Sequence, residues 1–177
     1  MKFISALQFC LIFLISGQVF GQGKIRTYTS EDWDYWEYTI GSESGKIRTY
    51  TSEDWDYWEY SGSGYSGKIR TYTSEDWDYW EVDGGAIKIK TYTSEDWDYW
   101  EITGSGVNIK MRTYTSEDWD YWEISGDATG KIRTYTSEDW DYWEISANLA
   151  SLSVPAKMAV IFVPIFTSSI YVQGIIK

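Results

Sequence analysis

The stretch Thr27-Tyr28-Thr29-Ser30-Glu31-Asp32-Trp33-Asp34-Tyr35-Trp36-Glu37 decides the fold, because it occurs six times without a substitution. The copies begin at Thr27, Thr49, Thr71, Thr91, Thr113 and Thr134, at spacings of 22, 22, 20, 22 and 21 residues. A period in this range marks an array whose units are single supersecondary elements, each burying its apolar face only against its neighbours. The segments between copies vary and are rich in Gly and Ser, as in residues 41–44, 61–64, 83–85, 104–106 and 126–129. They read as turns and interrupt any long helix.

Within one unit, residues 24–29 alternate and are β-branched, and residues 33–38 are aromatic and strand-prone. Ser30-Glu31-Asp32 supplies a polar turn between them. A helix fits poorly, since the unit lacks Ala and Leu and its apolar residues do not follow a 3.6-residue period. Comparing the copies locates the core. The first-strand position reads Ile25, Ile47, Ile69, Ile89, Met111 and Ile132, and the position after the last Glu reads Tyr38, Tyr60, Val82, Ile102, Ile124 and Ile145. Both accept large apolar side chains and nothing polar, which is how a packing position behaves.

Strand faces alternate, so Trp36 shares a face with Tyr38. Ile25 joins that face only if the hairpin closes with an even loop, taken as two or four residues. That register sets Lys24 opposite Glu37, Arg26 opposite Tyr35 and Tyr28 opposite Trp33. The core face is then Ile25, Trp36 and Tyr38, with Thr27 and Asp34 towards its edge. The other face carries Lys24, Arg26, Tyr28, Trp33, Tyr35 and Glu37.

Charge argues for how the units stack. A parallel coil would set identical Asp residues about 4.8 Å apart, a repulsion of roughly 0.9 kcal/mol per neighbour in water. An antiparallel meander doubles the separation and roughly halves that term. The expected fold is therefore all-β: an antiparallel meander of about twelve strands, as an open twisted sheet or closing towards a barrel, with a C-terminal apolar cap. In period and Trp/Tyr content residues 23–146 resemble MORN repeats and the aromatic hairpin repeats that bind cell walls. The Gly-rich consensus patterns of those families are absent, so the resemblance implies an architecture and no ligand.

The termini differ from the array. Lys2 followed by the apolar residues 3–15 and the small residues around Val19 and Gly21 predicts a signal peptide over residues 1–21. This leader resembles those of exported bacterial proteins, and export to an extracellular, periplasmic or cell-surface location is expected. Cys10 falls inside the leader, so the array carries no disulfide. Residues 22–146 form the array and 147–177 a linker and tail, with a helix start possible at Ser153. Residues 158–176 carry no charge between Lys157 and Lys177, which reaches the lower length limit of a membrane span. Pro164, Thr167, Ser168, Ser169, Gln173 and Gly174 interrupt that run, and a cap over the array is preferred. A membrane anchor and a sorting or assembly segment are the alternatives, and membrane contact is expected only for the anchor.

Fifteen basic residues against 27 acidic ones give a net charge of −12, which disfavours nucleic acid and anionic membranes and favours neutral or cationic partners. There is no His, and without Cys in the array no zinc or similar metal site is expected. Glu31-Asp32-x-Asp34 is acidic enough for Ca²⁺ but lacks a calcium-loop pattern, so it reads as a solvated turn. Catalysis and cofactors are not expected, since an active site is one asymmetric pocket and six identical copies cannot all be that. The candidate binding face is the aromatic ladder: Tyr28, Trp33 and Tyr35; Tyr50, Trp55 and Tyr57; Tyr72, Trp77 and Tyr79; Tyr92, Trp97 and Tyr99; Tyr114, Trp119 and Tyr121; Tyr135, Trp140 and Tyr142. Regular flat rings suit stacking on a polysaccharide with avidity across repeats, or contact with a surface protein; they also suit plain sheet packing. The expected function is a non-catalytic structural or interaction scaffold, with a carbohydrate-binding array as the alternative.

Overall fold

A computed structural model describes residues 21–175. The signal-peptide reading covers residues 1–21, of which 1–20 lie outside the described residues, and Gly21 opens the first strand. The elements run β1 (Gly21–Thr27), β2 (Tyr35–Ile40), β3 (Glu43–Thr49), β4 (Tyr57–Gly62), β5 (Tyr65–Thr71), β6 (Tyr79–Val82) and β7 (Ile87–Thr91). Then come β8 (Tyr99–Gly104), β9 (Val107–Thr113), β10 (Tyr121–Gly126), β11 (Gly130–Thr134), β12 (Tyr142–Ala147) and α1 (Val154–Val172). Each strand pairs antiparallel with its sequence neighbours, and β1 pairs with β12, so the meander closes into a barrel. Closure removes both sheet edges.

The core face is the one expected, but the register is not. Ile25, Trp36 and Tyr38 and all their equivalents are buried in the lumen, because the connecting loop has an even number of residues. That loop is residues 29–34, longer than a tight turn, and it moves every pair by two positions. Ile25 faces Tyr38, Lys24 faces Thr39 and Arg26 faces Glu37. Tyr28 donates its backbone N–H to the Tyr35 carbonyl at 2.9 Å. Trp33 therefore leaves the second strand, which starts at Tyr35. The opposite charges still meet: Arg26 bonds Glu37 at 2.8 Å, and Glu37 faces Lys46 on the following strand.

The wall residues compensate one another in volume. Tyr38 and Tyr60 lie across from Gly45 and Gly67, whereas Val82 and Ile102 lie across from Ile87 and Ile109. A Cβ on Gly45 would sit 2.3 Å from the Tyr38 hydroxyl, so only glycine admits the ring there. The six Trp36-type indoles are fully enclosed, and each donates its N–H to the carbonyl of the Trp three residues earlier, as Trp36 does to Trp33 at 2.9 Å.

The tail is a helix, and it runs inside the barrel. Two facing sheets fill about 10 Å between them, while twelve strands about 4.8 Å apart enclose a tube roughly 20 Å across. The remaining space is about the width of an α-helix. Ala156 to Ile170 are buried on every side of α1. Phe162 packs edge-on against Trp58 and Trp80, and Phe166 against Trp77, Trp80 and Trp100. At its far end Tyr171 meets Trp119 and Trp140. The helix has the length and composition of a membrane span, yet here its apolar surface is taken up by the lumen. Thr167, Ser168 and Ser169 are tolerated because each hydroxyl bonds a carbonyl four residues back in the helix. Lys157, 3% exposed, reaches Glu43 with bonds of 2.7 and 2.8 Å. The segment expected to cap the array thus plugs it.

Two expected outcomes follow from this packing. Phe166→Ala should cost about 3–5 kcal/mol in urea unfolding of the whole chain, since three wall indoles, Trp77, Trp80 and Trp100, and the neighbouring Phe162 lose their contact with the ring. Glu43→Ala should cost roughly 3 kcal/mol, because it strands a buried ammonium, whereas Lys157→Met should be close to neutral. Equal losses for the two changes would contradict this account of the ion pair.

Candidate interaction surface

All six 29–34-type loops lie at one end of the barrel, because every unit has the same hairpin direction. Each contributes the carboxylates of Glu31, Asp32 and Asp34 or their equivalents, so this rim carries eighteen acidic side chains. One of the three has a structural task in every unit. Asp34 accepts the Ser52 hydroxyl at 2.6 Å and the Glu53 backbone N–H at 3.1 Å, both from the next unit. Asp98 accepts the Thr113 and Ser116 hydroxyls, the Glu117 N–H and the Trp119 indole N–H. Asp141 closes the circle onto the first unit, taking Thr27 at 2.7 Å, Ser30 at 2.9 Å and the Glu31 N–H at 2.8 Å. Each aspartate thus latches its own hairpin to the following loop. Sequence reading placed Asp34 only near the core edge. The available signal was that Ser-Glu-Asp and Asp34 stay identical in every copy, although packing alone does not require it.

The latch also explains a backbone feature. Glu31, Glu53, Glu75, Glu95, Glu117 and Glu138 all sit at positive φ between 59° and 62°. This region is unfavourable for a residue with a Cβ. It turns the Glu N–H towards the preceding unit's aspartate. Among the described residues no group of three or more His, Cys, Asp or Glu is placed to hold a metal ion.

Hydrogen bonding to the Asp120 carboxylate pushes the Asp118 carboxyl above its usual value, and burial adds to this. Burial also pulls Asp120 upward, but bonds from Asp118, the Glu138 N–H and the Ser137 and Thr134 hydroxyls outweigh it and leave Asp120 lowered.

The structure divides the aromatic ladder in two. Trp33, Trp55, Trp77, Trp97, Trp119 and Trp140 are not on the outer face: they are partly or fully buried and turn in over the Trp36 ring. The cause is the six-residue loop, which carries them past the end of the strand. They seal the barrel mouth around the end of α1. The tyrosines do form an outer girdle. Tyr28, Tyr50, Tyr72, Tyr92, Tyr114 and Tyr135 are 55–65% exposed. Tyr28 stacks on Tyr35 at 4.7 Å, and the pairs at Tyr50, Tyr72 and Tyr92 stack in the same way. The Tyr114–Tyr121 and Tyr135–Tyr142 pairs meet edge-on instead.

Cations lie over the second-strand ring of these pairs. Lys46 lies 4.9 Å from the Tyr35 centroid, Lys68 5.3 Å from Tyr57 and Lys90 4.0 Å from Tyr79. Hydrogen bonding to the neighbouring tyrosine hydroxyl holds Lys24, Lys46, Lys68 and Lys110 above the usual lysine value. Twelve Lys and Arg occupy the outward positions of the odd strands, and six Glu those of the even strands. The wall is therefore net positive while the rim is strongly negative. Its exterior is charged and its lumen apolar, the reverse of a lipid-facing outer-membrane barrel.

Fold and surface together define a plugged antiparallel barrel of tandem hairpins with regularly placed aromatic residues. No protein-family model, curated protein or solved structure matches the chain.

The carboxylate pair gives a signed expectation. Asp120, lowered in the fold, stabilises above the ordinary aspartate value, and that contribution is lost as pH falls through its lowered value. Asp118, raised in the fold, acts oppositely: it costs stability at neutral pH, and the cost disappears as pH falls through its raised value. At pH 7, Asp120→Asn should therefore lose about 1.5–3 kcal/mol, while Asp118→Asn should be neutral or stabilising, with its advantage shrinking towards pH 4. Urea denaturation of both variants at the two pH values measures this.

Proposed function

We propose that the chain is a non-catalytic, exported interaction scaffold that presents a rigid, sixfold-repeated outer surface to a component of the cell surface. One observation carries this reading: α1 fills the lumen, the place where a barrel would otherwise hold a ligand. The residues left available in register are then on the outside, as the tyrosine girdle and the charged wall. A surface of repeated identical contacts suits multivalent attachment, where weak contacts add by effective concentration. Fluorescently labelled barrel should be retained on intact cells of the producing organism well above an unrelated acidic protein of similar size. Retention no greater than that control would overturn the scaffold reading.

A second reading is favoured by the exposed tyrosine pairs. Four of them are stacked with a ring open to solvent, a geometry suited to stacking on a sugar ring. Because the barrel is closed, a straight glycan would meet two or three adjacent pairs, not six. In sedimentation with insoluble cellulose or chitin, Tyr28→Ala/Tyr50→Ala/Tyr72→Ala should lower retention by about tenfold. Retention equal to the unaltered protein would exclude tyrosine stacking as the mode of attachment.

A further inference from the structure

The net charge of −12 conceals a separation in space. The acidic excess sits on the rim, and the wall carries the opposite sign. Three adjacent grooves cut the wall. The first, about 630 Å³, lies across β11, β12 and β1 and is lined by Lys131, Arg133, Lys24 and Glu144 with Ser146 and Gln22. The second, about 440 Å³, is lined by Lys24, Arg26, Lys46 and Glu37 with Thr39 and Ser44. The third, about 370 Å³, is lined by Lys46, Arg48, Lys68 and Glu59 with Ser61 and Ser66. Lys24 belongs to the first and second, and Lys46 to the second and third. Each groove lies over one even strand, β12, β2 or β4, between the cation rows of the odd strands beside it, so the three lie side by side as a ridged trough across the seam where the first unit meets the last.

We propose that this trough binds an acidic polysaccharide. The inference rests on the surface-interaction reading above and gives the partner its chemistry. Each groove gathers three cations around one carboxylate, which leaves a net positive site for a carboxylate or sulfate group. The retained Glu37, Glu59 and Glu144 accept hydrogen bonds from sugar hydroxyls, and the Ser and Thr hydroxyls can donate or accept. A DNA backbone offers no hydroxyl donors to those carboxylates, so the same lining disfavours it. Grooves recur every two strands, about 9.6 Å, so a linear polyanion engages successive sites and gains by effective concentration. The rim does not cancel this. It lies roughly 15 Å along the strands from Lys24, about twice the Debye length of about 8 Å at physiological salt. The local wall charge, rather than the net charge, is what a polyanion meets.

The test is calorimetric titration of the full chain with polygalacturonate, which carries only carboxylates, and with dextran sulfate, which carries only sulfates, at 0.15 M salt, using neutral dextran and single-stranded DNA as controls. Both acidic glycans should bind, and binding should weaken as salt rises. Lys24→Gln/Lys46→Gln removes the two shared cations and should reduce affinity by about tenfold or more, while Lys88→Gln/Lys110→Gln, with the same charge loss off the trough, should change it by less than about threefold. Thermal melts of both variants show whether the fold is kept. Binding to only one acidic glycan would assign the trough to carboxylate or to sulfate. No binding to either glycan, equal losses for the two variants, or DNA binding as tight as polygalacturonate would overturn the proposal. Cell retention that survives Lys24→Gln/Lys46→Gln would sink the trough alone and leave the scaffold reading standing. Loss of cell retention by the unaltered protein would sink the scaffold reading itself.

Discussion

A twelve-stranded tube cannot be filled by its own wall, and the rest of the structure follows from how that space is occupied. Side chains from opposite walls leave a channel about as wide as a helix. The chain fills it with its own C-terminal segment. Phe162 and Phe166 reach the Trp36-type ring from the axis, and the helix is apolar on all sides because it has wall on all sides. Barrel and helix are each incomplete alone. An empty barrel would expose a ring of indoles to water, and a free helix would expose a surface suited to a membrane. Folding joins two otherwise insoluble surfaces.

Closure of the ring depends on a second interaction at the barrel's end. Six aspartates each reach into the next hairpin's loop, and the sixth reaches the first. Each latch satisfies a backbone N–H that a left-handed glutamate turns towards it. Since the latch runs between units, no unit can vary its loop without a matching change in its neighbour. This coupling gives a physical reason for eleven-residue identity in all six copies, while linkers at the other end, which make no such ring, vary freely.

The same arrangement sorts charge. Latching aspartates and exposed Glu and Asp tips collect at one end, while the strands alternate buried apolar residues with outward Lys, Arg and Glu. Net charge is a sum over both regions and describes neither. A neutral or cationic partner suits the rim, and an anionic one suits the wall.

Periodicity made much of this legible in the sequence. The six units, their antiparallel order, and the core positions of Ile25, Trp36 and Tyr38 follow from repetition and from alternation of faces, both local properties of a strand. The tyrosine half of the ladder was legible for the same reason, since Tyr28 and Tyr35 lie within or beside the paired segment. Other features were decided only by tertiary structure. The two-position register shift comes from the six-residue loop, whose length is held by its own turn bonds and by the aspartate of the preceding unit, a contact between different parts of the chain. Barrel closure depends on β1 meeting β12, residues more than a hundred positions apart. The role of the tail depends on that closure, because an apolar helix has the same composition whether it meets lipid or a lumen. What the sequence determined by itself was the repeating unit and the face each residue takes. What the tertiary structure decided was where each face leads, because closing the ring turned one side of the sheet into an interior and the other into a wall.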